Sequence, residues 1–209
     1  KCDLTKELDV NRVITNIYKK TNKIDCLIHL AGLDYKVESK EGNCFDLDEH
    51  SISPPRKVMK SVSANVSMAY NIIYGLLSRF LKQDESRIIL IGSLYGSVSP
   101  NPKLYMNEDS RYFFQKPIEY SISKSIFPNL ARYLCSHYSK KGLIVNNLEP
   151  HAIIDNPNKK FLKNFKQLSP MGRICKSEEI IDLIIYLITS KCLYLNGETI
   201  TIDGGWKTN

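Results

Sequence analysis

A chain of 209 residues suits one domain with a substantial core. Its 43% hydrophobic and 24% charged content excludes a disordered or fibrous protein. The net charge of +7 comes from dispersed lysines, paired at Lys19-Lys20, Lys140-Lys141 and Lys159-Lys160. That distribution argues against nucleic-acid binding and for a basic surface suited to an anionic cofactor or substrate. The six cysteines form no C-x-x-C and no ligand spacing with the four histidines, so no metal is expected and a reducing, cytoplasmic setting is. No secretory signal pattern occurs, and the apolar segment 180–188, with Asp182 inside it, is too short to span a bilayer.

In chain order, Thr5 is a helix N-cap residue ahead of Leu8, Val13, Ile14, Ile17 and Tyr18 at helical spacing, which predicts a helix to about residue 20. The apolar run 24–30, ending at Ala31-Gly32, has the pattern of a buried parallel strand, with His29 a packed strand residue. Residues 34–57 are polar, contain Pro54-Pro55, and read as a loop at the mouth of a site. A long helix is predicted over 58–81, where Val62, Val66, Ala69, Ile73, Leu76 and Phe80 recur at helical spacing and Asn65 interrupts the apolar face. Residues 88–92 form a strand that delivers Ser93 at its C-terminal end, where ligands gather in α/β sheets.

An insert bearing Tyr95, Gly96, Pro100, Pro102, Tyr105, Tyr112 and Pro117 separates Ser93 from Tyr120. Tyr95 and Tyr105 read equally as substrate-contacting aromatics or as loop packing. A helix follows from Tyr120 through Ile126, Leu130 and Leu134, with Pro128 tolerable only in a first turn or at a kink. Residues 143–148 are a strand; 155–168 are basic with Phe161 and Phe165, suiting a mobile lid. A helix over 178–189 and a strand over 197–203 close the chain. This alternation predicts a parallel sheet with helices on both faces, in one domain over residues 1–209.

Tyr120 and Lys124 lie four apart, so a helix presents them on one face. A free phenol, with a pKa of about 10, is a poor base at neutral pH, and bringing it to about 7 takes about 4 kcal/mol. One ammonium about 4 Å away at an effective dielectric of about 20 supplies that much. Ser93 is then a neutral donor able to hold a carbonyl oxygen beside the phenol.

These residues, with others in the same order, resemble the short-chain dehydrogenase/reductase family. The matching pieces are Cys2-Asp3-Leu4-Thr5, Ile24-Asp25 leading to Ala31-Gly32, Asn65, Ser93, Tyr120 with Lys124, Val145-Asn146 with Pro150, Ser169 to Ile174, and Asn196-Gly197 to Asp203-Gly204-Gly205. The resemblance implies a Rossmann-type, doubly wound parallel sheet truncated at its N-terminus, its first βαβαβ half missing. No G-x-x-x-G-x-G occurs among the ten glycines. It implies NAD- or NADP-dependent hydride transfer to or from a carbonyl or alcohol. In that scheme Tyr120 is the acid/base, Lys124 depresses its pKa and holds the nicotinamide ribose, Ser93 fixes the substrate oxygen, and Asn65 holds a relay water. Asp3, Ala31, Gly32, Tyr120, Lys124, Pro150 and Ile153 are the implied cofactor contacts.

A homodimer or homotetramer pairing through the helices of Asn65 and Tyr120 is implied as well. The sequence departs from the family pattern at His29-Leu30, where asparagines are usual, and at His151, where glycine is usual. If position 151 needed a positive φ, histidine would cost about 1 kcal/mol there. The insert resembles two branches: bacterial oxidoreductases of flagellin modification and nonulosonic sugar pathways, and the extended sugar-nucleotide epimerases and dehydratases. The C-terminal third favours the first, and either implies a sugar-like substrate. Two alternatives stand beside hydride transfer with net turnover: epimerase or dehydratase chemistry, and a truncated, non-catalytic chain unable to bind a dinucleotide.

Overall fold

The computed structural model describes residues 1–33, 37, 38, 46 and 52–208. Helix α1 (Glu7–Tyr18) begins later than the expected cap, with Lys6 at the cap position. Thr5 gives its hydroxyl and its backbone N–H to Asp3 Oδ1 at 2.7 and 3.0 Å. Asp3 rather than Thr5 is therefore the acceptor that organises this entry. Strands β1 (Cys26–His29) and β2 (Val37–Glu38) follow. The predicted 34–57 loop lies largely outside the described residues, and its end is corrected: Pro55 is the first residue of α2 (Pro55–Phe80). Proline fits there because that N–H has no helical partner to lose.

Strand β3 (Ser86–Ile91) leads into the insert, which holds helical turns at residues 94–96 and 102–105 and strand β4 (Phe114–Gln115), antiparallel to β2. The single helix predicted from Tyr120 is two, α3 (Ile118–Lys124) and α4 (Ile126–Tyr138). Pro128 stands in the first turn of α4, and its ring is incompatible with an unbroken ladder to the Lys124 carbonyl, so the helix breaks at Ser125 and restarts at Ile126. Strand β5 (Leu143–Pro150), helices α5 (Lys159–Leu168) and α6 (Ser177–Thr189), and strand β6 (Thr199–Ile202) complete the order.

The main sheet is parallel in the order β1-β3-β5-β6. Alternate residues of each strand face opposite sides. Ile88 and Leu90 of β3 with Leu143 and Val145 of β5 meet Val10 and Ile14 of α1, Ala69, Ile73, Leu76 and Phe80 of α2, and Phe127, Ala131 and Leu134 of α4. On the other face Ile89 and Leu148 pack under Leu187 of α6, with Ile184, Ile200 and Ile202 around them. Helices thus cover both faces, the doubly wound arrangement. Every residue of β5 is buried, as a central strand requires. Arg87 reaches through the second face to the carbonyls of Leu187 and Ser190, capping the C-terminal end of α6. No helix among the described residues is long and apolar enough to cross a membrane.

Candidate active site

The C-terminal ends of β1, β3 and β5 deliver residues 29–32, 91–93 and 150–153 to one edge of the sheet. At Gly32 the backbone is bare, and a Cβ there would lie 3.4 Å from Asn65 Oδ1 and 3.6 Å from Lys124 Nζ. Asn65 is buried in the middle of α2, which continues unbroken through it. Its side chain accepts from Leu33 N–H at 2.6 Å and donates to Leu33 O and Ser123 Oγ, each at 3.2 Å. Those bonds satisfy a buried amide and pin the loop after β1 to α2 and α3. Lys124 Nζ donates to Ile91 O, at the end of β3, over 3.0 Å. The structure thereby brings Gly32, Asn65 and Lys124 together.

Ser93 is buried immediately past β3, and its Oγ accepts from Tyr95 N–H at 3.2 Å, capping the 94–96 turn. The turn packs directly on α3. A Cβ at Gly96 would come within 2.7 Å of Lys124 O, so only glycine allows this approach, which holds Ser93 against the helix of Tyr120. Lys124 Nζ is 6.0 Å from the centre of the Tyr120 ring. A nearer ammonium, Lys116, lies 3.7 Å from that centre. Sequence reasoning missed it, although the same four-residue spacing that picked out Lys124 also separates Lys116 from Tyr120.

Tyr120 leans on an aromatic cluster formed by the insert and α5: Tyr95, Tyr105, Tyr112, Phe161 and Phe165, with Trp206 against them. The Tyr95 and Tyr105 hydroxyls are bonded to each other at 2.7 Å, and burial pushes the Tyr95 phenol up to about 12, so it stays a neutral donor. In α5, Phe161 and Phe165 are buried and the lysines exposed, so the segment read as a mobile lid is a packed amphipathic helix. A cavity of about 630 Å³ opens beside the insert. Its walls include Tyr95, Tyr105 and Lys116, neighbours of the reacting region, together with Ser121, Ile122 and Ser125, but neither Ser93 nor Tyr120 themselves.

Asp3 is exposed, its carboxylate held by Thr5 and 3.7 Å from Lys6 Nζ. Ala31 is half-buried, Pro150 is the buried last residue of β5, and Ile153 is 37% exposed beyond it. Below the site, the fully buried Glu149 accepts from Ser97 Oγ at 2.6 Å and lies 3.4 Å from Lys207 Nζ, tying the insert to the C-terminal segment. Arg173 grips Glu179 with two bonds of 2.7 Å, fixing the stretch from Ser169 to Ile174 on the start of α6. Among the described residues no group of three His, Cys, Asp or Glu is placed to hold a metal.

The two unusual histidines pack as aromatic residues. His29 lies edge-on to Phe127 at 5.7 Å. His151 sits between Trp206 at 4.5 Å and Phe165 at 4.9 Å. His151 has no positive φ, so the strain foreseen for it does not arise. Burial lowers both imidazoles from 6.5 to about 4; the Lys124 charge adds to the shift at His29, and Asp203 opposes it at His151. The unfolded chain therefore binds more protons than the fold between pH 6.5 and about 4, and stability falls as the pH drops through that window. Between pH 7 and 5 each imidazole is expected to remove up to about 2 kcal/mol. Urea midpoints across this range check it, and H151F should recover about half the loss; a midpoint that does not move would contradict the assignment.

A doubly wound parallel sheet, with Ser93 just past the end of β3 and Tyr120 and Lys124 on the helix α3 packed against the following turn, is a Rossmann-type arrangement. A family model described as "Enoyl-(Acyl carrier protein) reductase" matches residues 1–207, and the chain belongs to the short-chain dehydrogenase/reductase family. It is 29% identical over 205 residues to 3-oxoacyl-[acyl-carrier-protein] reductase FabG of Buchnera aphidicola, covering 96% of this chain and 74% of that protein. It is 26% identical over 209 residues to a glucose 1-dehydrogenase of Gluconobacter oxydans, covering 97% of this chain and 70% of that one. Among solved structures, a short-chain dehydrogenase from Leptospira borgpetersenii with bound NAD+ superposes with a TM-score of 0.81 at 19% identity, over 98% of this chain and 73% of that one.

Proposed function

We propose that the protein is an NAD- or NADP-dependent oxidoreductase acting on a carbonyl or alcohol of a sugar-like substrate. The observation that carries this reading is the bare Gly32 backbone at the strand ends, flanked by Asn65 and Lys124 beside Tyr120. That cradle fits the nicotinamide–ribose end of a dinucleotide: a Cβ would fill the space, and Lys124 offers an ammonium to ribose hydroxyls. Pro150 and Ile153 border the same edge, and Ala31 adjoins Gly32. Asp3 remains the proposed neighbour of the adenine.

A bound dinucleotide supplies or accepts the hydride. The chain's own residues handle the proton and the position of the substrate. Tyr120 gives its phenolic proton to the substrate oxygen in reduction and takes it back in oxidation. Ser93 retains a hydroxyl proton to donate while its oxygen accepts from Tyr95, which orients it towards the substrate oxygen. Lys124 holds positive charge near the phenol, and Asn65 clamps the loop that carries Gly32. Asn65, whose side chain clamps that loop, remains the proposed holder of the relay water.

Similarity to a glucose dehydrogenase supports a hydroxylated substrate. The proline-bearing, tyrosine-rich insert supports the narrower association with flagellin-modification and nonulosonic sugar enzymes. Exposed Met59, Val66, Tyr70, Ile118 and Ile122 on α2 and α3 support pairing of two or four chains through those helices. The test is a titration of the full-length gene product with NADH and NADPH, following energy transfer from tryptophan, of which Trp206 is the single one in these 209 residues. Saturable binding of one of them is expected. A protein that binds neither is not an oxidoreductase of this kind.

A further inference from the structure

We propose that Lys116 is a second cation acting on the Tyr120 phenol, sharing with Lys124 the task of loosening its proton. The proposal rests on reading Tyr120 as the acid/base and extends it to a residue outside the pair. Lys116 and Lys124 bracket Tyr120 at four residues on either side. Pro117, extended at the start of α3, forces the preceding residue into extended backbone, and the Lys116 chain folds back over the ring. Its Nζ reaches 3.7 Å from the ring centre, against 6.0 Å for Lys124, which is also bonded to Ile91 O and 5.1 Å from the Phe127 ring.

A cation on an aromatic face is attracted to the neutral ring. It is attracted more to the phenolate, whose negative charge spreads into the ring, so its field favours ionisation. Among the described residues, the groups packed around Tyr120 do not offset this. Tyr95, on the turn after β3, stays protonated, and His29, at the end of β1, stays neutral. Glu119, next to Tyr120 in α3, is buried and faces the ammonium of Lys57 of α2 at 3.5 Å. Helix α5 presents Phe161 and Phe165 and keeps its lysines outside. Lys116 is a positioning residue in the electrostatic sense: it acts through Tyr120.

The test compares K116M, K116Q and K116R in the full-length protein. In the alcohol-oxidising direction activity rises as the phenol ionises. K116M and K116Q should move that limb up by about one pH unit, which is about a tenfold loss at pH values below it. K116R should restore the limb, and nucleotide affinity should not change. An ultraviolet titration of each protein against its Y120F counterpart isolates the Tyr120 phenolate and should show the same displacement without cofactor. A folded K116M or K116Q with an unmoved phenolate overturns the proposal, as does failure of K116R to restore it. Full turnover by Y120F alone would instead overturn the acid/base reading, leaving the phenolate titration to judge Lys116 separately.

Discussion

Y120F in the full-length protein is expected to lower turnover by about 10²–10⁴-fold, the range that a positioned acid/base contributes. Only one oxygen is removed. The ring keeps its place against Tyr95 and Phe161, and Lys116 keeps an aromatic face to sit on. Thermal stability and dinucleotide affinity should therefore stay near those of the parent, so that the loss falls on the chemical step. Turnover, nucleotide binding and melting temperature measured on one preparation separate these effects. Turnover within a few-fold of the parent would show that another group moves the proton.

F127A has the largest expected effect on stability. Phe127 is 1% exposed, in the core between β3, β5 and the helices, and its upper edge supports the site, with His29 at 5.7 Å and Lys124 Nζ at 5.1 Å. Truncation loses the buried ring and leaves a cavity, about 3–5 kcal/mol together. For a chain of this size that corresponds to a fall in melting temperature of roughly 6–20 °C. The His29 imidazole, no longer sealed by the ring, should titrate closer to its ordinary 6.5, which a proton NMR titration reads directly. F127L should lose less than about 1.5 kcal/mol, because the volume is largely refilled. A melting temperature unchanged in F127A would remove Phe127 from the core.

The elements were legible where periodicity and strand apolarity agreed. The strands at 24–30, 88–92 and 143–148 and the helices containing Asn65 and Leu183 all form, displaced by a few residues at their ends. Thr5 misled because the better acceptor, Asp3, lies upstream of it and captures its hydroxyl. Pro55 misled because a proline pair resembles a loop until one of its members opens a helix. The family's glycine points to strain at His151, yet the backbone there has no positive φ. In α5, lysines and buried phenylalanines alternate at helical spacing, and the count of charges concealed the apolar stripe.

The sequence by itself determined the alternation of strands and helices, the parallel sheet, and the family to which the chain belongs, since these follow from local periodicity and from motif order. It also identified Asn65, Ser93, Tyr120 and Lys124 as the candidate group. Only the tertiary structure decided that Asn65 clamps the loop after β1, that Gly96 lets the Ser93 turn press on α3, and that Lys116 lies nearer the Tyr120 ring than Lys124 does. Spacing along the chain says which residues share a helix face. Which ammonium approaches a ring, and which amide meets a distant backbone, depends on how separate elements close-pack, and that is settled when the core forms.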